Sequence, residues 1–334
     1  MAYSVGNVIQ ATDFNGFVST NSANINGQWG TGSAGFGWGQ TAISTVSPAG
    51  TVTATNWSSL VNTLTAMGGQ TGTALTSRSA PTAGSIVSIL ANVNTDITSC
   101  QTNNNTTSAV GTEYGTFTGT TSKTTATGSG QAAWTITFTH TVTFNVFNDS
   151  DAARYFWNAG GRVRLQYGKS STGTDTDADW NTFAGLCGSI YISGRLSGAN
   201  QTIVGTTYTG TTRIGGGGGT QTTLATTTGW YNLTGSPTTI FQLNNATSPY
   251  SGEYIRTTAT ATSPTVLTLV TTWVSDGSSG AGTTANITGG TAVSSPATTI
   301  GAATAPTTLV TYIPPSTTYL TNSWGTPTIA ASVT

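Results

Sequence analysis

The chain has 334 residues, enough for one large or two ordinary domains. Only 6% of them are charged and the net charge is −1, which excludes the basic footprint of a nucleic-acid binder and the polybasic patch of an anionic-membrane binder. Nine Trp, eleven Tyr and ten Phe are available to pack, which is not the composition of a disordered chain.

The polar surface must then be built from Thr, Ser, Asn, Gln and Gly. Thr is stiff at its first side-chain torsion and suits pleated backbone, so a mainly β body is expected. Only two lysines, Lys123 and Lys169, could blunt exposed strand edges. Edges covered by sister copies are therefore expected. The alternative is a monomer kept soluble by hydroxyls and amides. The first residues carry neither a basic segment nor an apolar core of a signal peptide, and no window approaches a membrane span. The expectation is a product that stays in the cytoplasm or leaves it inside a larger particle. Cys100 and Cys187 are far apart, fit no metal or disulfide framework, and read as buried thiols.

Residues 1–105 read as a helical region for attachment or oligomerisation. Thr12-Asp13 can cap a first helix carrying Phe14, Phe17 and Val18. Gly30 to Gly39 is a glycine loop holding Phe36 and Trp38. Thr55 can cap a second helix with Trp57, Leu60, Val61, Leu64 and Met67 on one face, stopped by Gly68-Gly69. A third helix is expected from Thr82, with Ile86, Ile89, Leu90, Val93, Ile97 and Cys100 as its stripe. Asn103 to Thr107 reads as a linker.

Residues 106–334 read as strands between turns. Trp134, Ile136, Phe138, Val142, Phe144 and Val146 recur at every second position, with His140 in the same row and Thr or Asn between them. That is a long strand with one dry face. Burying its six apolar side chains stabilises by about 1.5–3 kcal/mol each, as an upper bound. Asp or Ser at 149–151 can cap a short helix over Ala152 to Ala159, carrying Phe156, and Gly160 can end it in the left-handed conformation. Arg162 to Tyr167 then alternates as a second strand. A short helix with Trp180, Phe183 and Leu186 follows Asp175-Thr176-Asp177-Ala178-Asp179. Strands are expected at 189–193, 238–243, 252–261 and 265–274, the last two as a hairpin, and Gly215 to Gly219 as a flexible loop. The spacing suggests an antiparallel β-sandwich with Greek-key links and a small helical N-terminal region.

Several constellations carry a chemical reading beside a structural one. Gly30-Thr31-Gly32-Ser33-Ala34-Gly35 matches a dinucleotide-binding fingerprint but follows a helical pattern, and no acid occurs between Asp13 and Asp96, so loop glycines fit better. Asp175, Asp177 and Asp179 have the first spacings of a calcium loop, but Trp180 and Leu186 stand where Gly and Glu belong. Helix-dipole complementation is the alternative. His140, the only histidine, lies in an apolar row and reads as a core or subunit-contact residue. A glycosidase needs only two carboxylates, yet capping explains half of the ten acids. Arg154, Arg162 and Arg164 could form a subunit contact or an acidic-sugar site. Otherwise they make local ion pairs, worth about 0–1 kcal/mol each if exposed. Trp38, Trp230, Tyr231, Tyr250 and Tyr254 lie near loops and could stack on sugar rings or pack in the core. No catalytic residue and no cofactor is assigned.

The run Asp151-Ala152-Ala153-Arg154-Tyr155-Phe156-Trp157-Asn158-Ala159-Gly160-Gly161-Arg162-Val163-Arg164-Leu165 resembles a pattern of virion structural proteins of tailed bacteriophages, roughly D-x-A-R-Y-F-F-N-A-G-G-x-I-R, with Trp157 in place of the commoner Phe. The loop Gly32 to Gln40 followed by Thr53 to Leu60 and Gly69 to Gly72 is similar to the same group. So is Pro314 to Leu320 with Trp324 to Pro327. The resemblance implies a particle component of the tail or its fibres, with no catalytic residues to carry over. Expected partners are sister subunits, a trimer among the options, other virion proteins and a host-surface glycan, in the virion rather than on nucleic acid or membrane. A capsid decoration or neck component is the structural alternative. A polysaccharide-depolymerising enzyme is the alternative of a different class.

Overall fold

A computed structural model describes residues 10–19, 24–33, 35–82, 92–111, 121–122, 125–127, 134–144, 151–170, 175–246, 251–275, 297–299 and 306–334, with backbone alone at 121–122, 125–127, 175–178, 197 and 297–299. Val146, Asp149, Tyr250 and the 86–90 part of the third-helix stripe lie outside them.

The alternating row becomes strand β1 (Trp134–Thr143). Trp134, Ile136, Phe138, His140 and Val142 are all buried, as is Phe144 just beyond, while the alternating Thr135, Thr137, Thr139, Thr141 and Thr143 face outward. Helix α5 (Ala152–Asn158) then turns the chain into β2 (Arg162–Gly168), which lies in a different sheet. The helix is thus a corner between two layers.

The larger sheet is antiparallel throughout. Its order is Thr220–Leu224, β3 (Thr238–Asn244), β4 (Tyr254–Ser263), β5 (Val266–Ser275) and β1. The far edge of β1 is shared by β7 (Thr328–Val333), along Phe138 to Thr143, and by Thr125–Thr127, which pairs with Ala297–Thr299. The earliest long strand therefore lies beside the end of a later meander, the Greek-key relation. The second sheet has the order Thr121–Ser122, β6 (Thr307–Ile313), β2, Ser189–Ile192 and Thr211–Ile214.

The two sheets face each other as a sandwich. Tyr167 of β2 stacks on Phe241 of β3 at 5.8 Å and meets Trp273 of β5 edge-on. Its hydroxyl bonds Thr257 at 2.8 Å, and Trp273 Nε1 donates to Thr308 Oγ1 of β6 at 3.0 Å. Aromatic rings bring the bulk, and threonines satisfy their polar ends. Helix α6 (Asp175–Cys187) lays Trp180 against Trp134 and Trp273, 4.8 and 5.7 Å away.

The helical region holds α1 (Ala11–Val18), α2 (Ile25–Trp29), α3 (Ala54–Thr71) and α4 (Val93–Thr102). Several local expectations shift. The cap of α1 is Gln10, whose amide donates to Asp13 at 2.9 Å. The cap of α3 is Thr53 rather than Thr55, closing a box with Asn56. The helix runs through Gly68-Gly69 and stops at left-handed Gly72, because Gly in a helix costs only about 1 kcal/mol when its face is packed. The expected linker is instead built in. Thr106–Thr107 pairs in parallel with Gln201–Ile203, which pairs with Thr206–Tyr208, making a third small sheet. One contiguous apolar core runs from Phe14 and Trp57 through Phe144 and Trp157 to Trp324. The boundary near 105 separates kinds of secondary structure, not two cores.

Candidate functional site

The segment Asp151 to Gly161 is where the parts of the chain meet. Arg154 grips the Asp151 carboxylate through Nε at 3.2 Å and Nη2 at 2.9 Å. Its Nη1 donates to the carbonyls of Thr31 and Phe36 at 2.5 and 2.6 Å. Asp151 stands at the N-cap position but makes no side-chain cap bond, because its carboxylate faces the guanidinium. Asn158 donates to Gly37 O at 2.9 Å and accepts from Tyr231 Oη at 2.5 Å, while its own carbonyl accepts from Trp38 Nε1. Gln70 of α3 reaches the Ala159 carbonyl at 3.0 Å, and Gln201 reaches that of Trp157 at 3.1 Å. Phe156 and Trp157 pack on Phe144, and Trp230 stacks on Trp157 at 5.6 Å.

Gly160, at φ +98°, ends the helix. Gly161 N bonds Phe156 O and Gly160 N bonds Trp157 O, a Schellman closure. The corner is a joint made of neutral hydrogen bonds and one ion pair. It holds a helix, two sheets and the 31–40 loop in one geometry. The glycines of that loop serve this joint: Trp38, Gly39 and Gln40 bond back to Gln28, Gly30 and Trp29.

The arginines offered as a subunit contact are engaged within the chain in two cases. Arg154 is the clamp just described. Arg162 is 5% exposed and lies over the Tyr208 ring at 4.6 Å. Its guanidinium is therefore not presented to a neighbour, which corrects that expectation for Arg162. Arg164 is half-buried, between Thr311 and Tyr191 in register. Trp38 and Trp230 are buried core residues, so neither offers a face to a sugar. Cys100 and Cys187 are buried thiols, and burial pushes both up, Cys100 to about 11.

His140 is 1% exposed on the inner face of β1. Neither ring nitrogen makes a well-formed hydrogen bond, and loss of solvent pushes it down to about 4, offset only in part by the Thr308 main chain. It is neutral at physiological pH.

The backbone is already helical from Asp175, so Asp175, Asp177 and Asp179 do not form an open loop ahead of the helix. A calcium loop needs its ligands on turning backbone, which corrects that reading. Among the described residues no three His, Cys, Asp or Glu side chains group closely enough to hold a metal ion. A different set converges instead. Asn245 Nδ2 donates both to Asp179 and to Glu253, the latter at 3.3 Å, and Ser275 donates to Glu253 at 3.1 Å. Burial raises the Asp179 carboxyl, and the Asn245 bond opposes the rise. Glu253 is 1% exposed. The set ties α6 to β4 and β5. Glu253 has no acidic neighbour nearby in the sequence, and only the antiparallel register brings it to Ser275.

The outer face of the larger sheet is the broadest feature. Across it run rows such as Ser332–Thr139–Val270–Thr258 and Ala330–Thr141–Thr268–Thr260. Along β5 the outward positions are Val266, Thr268, Val270, Thr272 and Val274, all half-buried. Arg256, whose guanidinium lies 5.5 Å from the Tyr254 ring, is the one charged side chain on the described strands of this face. In the sequence this face is present as the positions alternating with the apolar row, where Thr reads as ordinary solvent-facing polarity.

No family model, curated protein or solved structure matches the chain.

Proposed function

We propose that the chain is a structural subunit of a tailed-bacteriophage virion, in a tail fibre or tail-associated appendage. It works by self-assembly and host-surface adhesion, not by catalysis. One observation carries the reading. The segment resembling the virion pattern, Asp151 to Leu165, is a joint between separate parts of the fold: Arg154 and Asn158 hold the loop around Gly37, and Gly160 ends the helix between them and β2. A run with that role is one that a shared scaffold would keep, which supports the reading. The charge-poor, Thr-rich composition supports the reading, since such a surface suits permanent burial between subunits.

Immunogold labelling of particles with antibody to this chain tests it. Label on tails or fibres is expected. Label on heads or necks would move the chain to a capsid decoration or neck component, and no label on any particle would overturn the reading.

One observation favours a polysaccharide-cleaving enzyme: Asp179 and Glu253 meet at a single amide, and the first is raised. Glu253 is nearly inaccessible, and Asn245 occupies the space between the carboxylates where a glycosidic oxygen would sit. Incubation with host polysaccharide should release no reducing ends. Release that is lost in Glu253→Gln would establish the enzyme.

A further inference from the structure

The inner face of the larger sheet is spent on the core, whereas the outward Val and Thr side chains along β5 stay only half-buried. The outer face is rich in β-branched side chains and, on its described strands, carries the single charge of Arg256. Ordinary solvent-facing sheets carry Lys and Glu at such positions, which keep faces and edges apart. Here Val270 occupies the middle, flanked in register by Thr139 and Thr258. This is the composition of a face meant to be covered.

We infer that this face docks on the same face of a second copy of the chain, sheet against sheet, with Val270, Thr139 and Thr272 at the centre of the contact. The inference rests on the reading of the chain as a self-assembling subunit and assigns the surface that does it. Two arguments select a second copy over a foreign partner. The first is charge. With Arg256, opposite Thr272 in register, as its one described charge, the face offers little pattern for a foreign partner to complement, and a two-fold contact need only keep the two Arg256 side chains apart. The net charge of −1 adds almost no repulsion between copies.

The second argument is area. Five strands at about 4.8 Å spacing and eight or nine residues at about 3.3 Å rise give a projected area of about 600 Å² per copy, or about 1,200 Å² for the pair. That reaches the range of specific, stable interfaces. Paired sheets about 10 Å apart let Val and Thr interdigitate as in a sandwich core, with hydroxyls bonding across.

Light scattering on the eluting full chain at micromolar concentration tests this. The wild type should run as a multimer. Val270→Lys and Thr139→Glu should each shift it to the next smaller species with a melting temperature close to that of the wild type, because both positions face outward. Thr206→Lys, on the exposed hairpin of the small sheet, should leave the multimer unchanged. A short bifunctional maleimide should join two copies of Val270→Cys but not of Thr206→Cys, since both native thiols are buried. This cross-link decides the matter if a charged variant fails to fold. A multimer that survives both charged substitutions, with no cross-link, overturns the assigned surface and leaves the assembly reading standing. A monomeric wild type overturns both.

Discussion

His140 shows how one buried ring makes stability depend on pH. Folded, it is pushed down to about 4; unfolded, it titrates near 6.5. Above pH 6.5 both states are neutral and the ring adds no pH dependence. As pH falls from 6.5 to 4 the unfolded state takes up a proton that the folded state refuses, so stability drops, by up to about 3 kcal/mol at and below pH 4. Urea midpoints measured across that window should fall for the wild type and fall less for His140→Leu; identical curves would remove the ring as the cause. Gly160 shows the same dependence on one position, through geometry. Its φ is +98°, and a Cβ there would stand 2.6 Å from Thr107 Oγ1. Gly217 also has positive φ, but a Cβ there would meet nothing within 4 Å. Gly160→Val should therefore lower the melting temperature well beyond Gly217→Val, strain alone costing about 1–3 kcal/mol at either site.

Among the elements, the 31–40 loop depends on a side chain from the distant helix α5. Removing the guanidinium in Arg154→Ala leaves the Thr31 and Phe36 carbonyls and the Asp151 carboxylate without their donor, a loss of about 2 kcal/mol. Amide exchange should quicken at Trp38, Gly39 and Gln40 and stay unchanged in the β4–β5 hairpin. Uniform quickening would mean global destabilisation instead. The strand–corner–strand unit and the hairpin were legible in the sequence, because period two is a local signal and Gly160 must take positive φ, whereas the Gly68-Gly69 stop was overridden by packing along α3. Helix starts were less so. Thr55 and Thr53 are chemically equal caps, and the choice falls to Asn56, which can close a box only with Thr53. The third sheet was not legible: Thr106-Thr107 is too short to show a period, and its partner strand lies far along the chain. In the sequence Arg154 reads as charge near charge, but its two carbonyl acceptors come from a loop remote in sequence.

At the scale of the molecule, helices and sheets share one core, so the N-terminal region is a wall of the body rather than an appended module. Self-association through neutral surfaces has a second signature. Because no ion pair need be broken, the multimer should keep its mass between about 0.1 and 1 M salt, over which the screening length falls from about 10 to 3 Å. Dissociation at high salt would point to charged contacts instead.

The order in which the body closes follows from the far edge of β1. Residues 328–333 supply the neighbour that β1 lacks along half its length, and Thr321 and Ser323 hold Gln40 near the other end of the chain. During synthesis the middle strand therefore leaves the ribosome long before its support does. A chain cut short before residue 328 leaves β1 with a bare hydrogen-bonding ladder along Phe138 to Thr143, a species apt to stick to its own kind or be cleared by proteases.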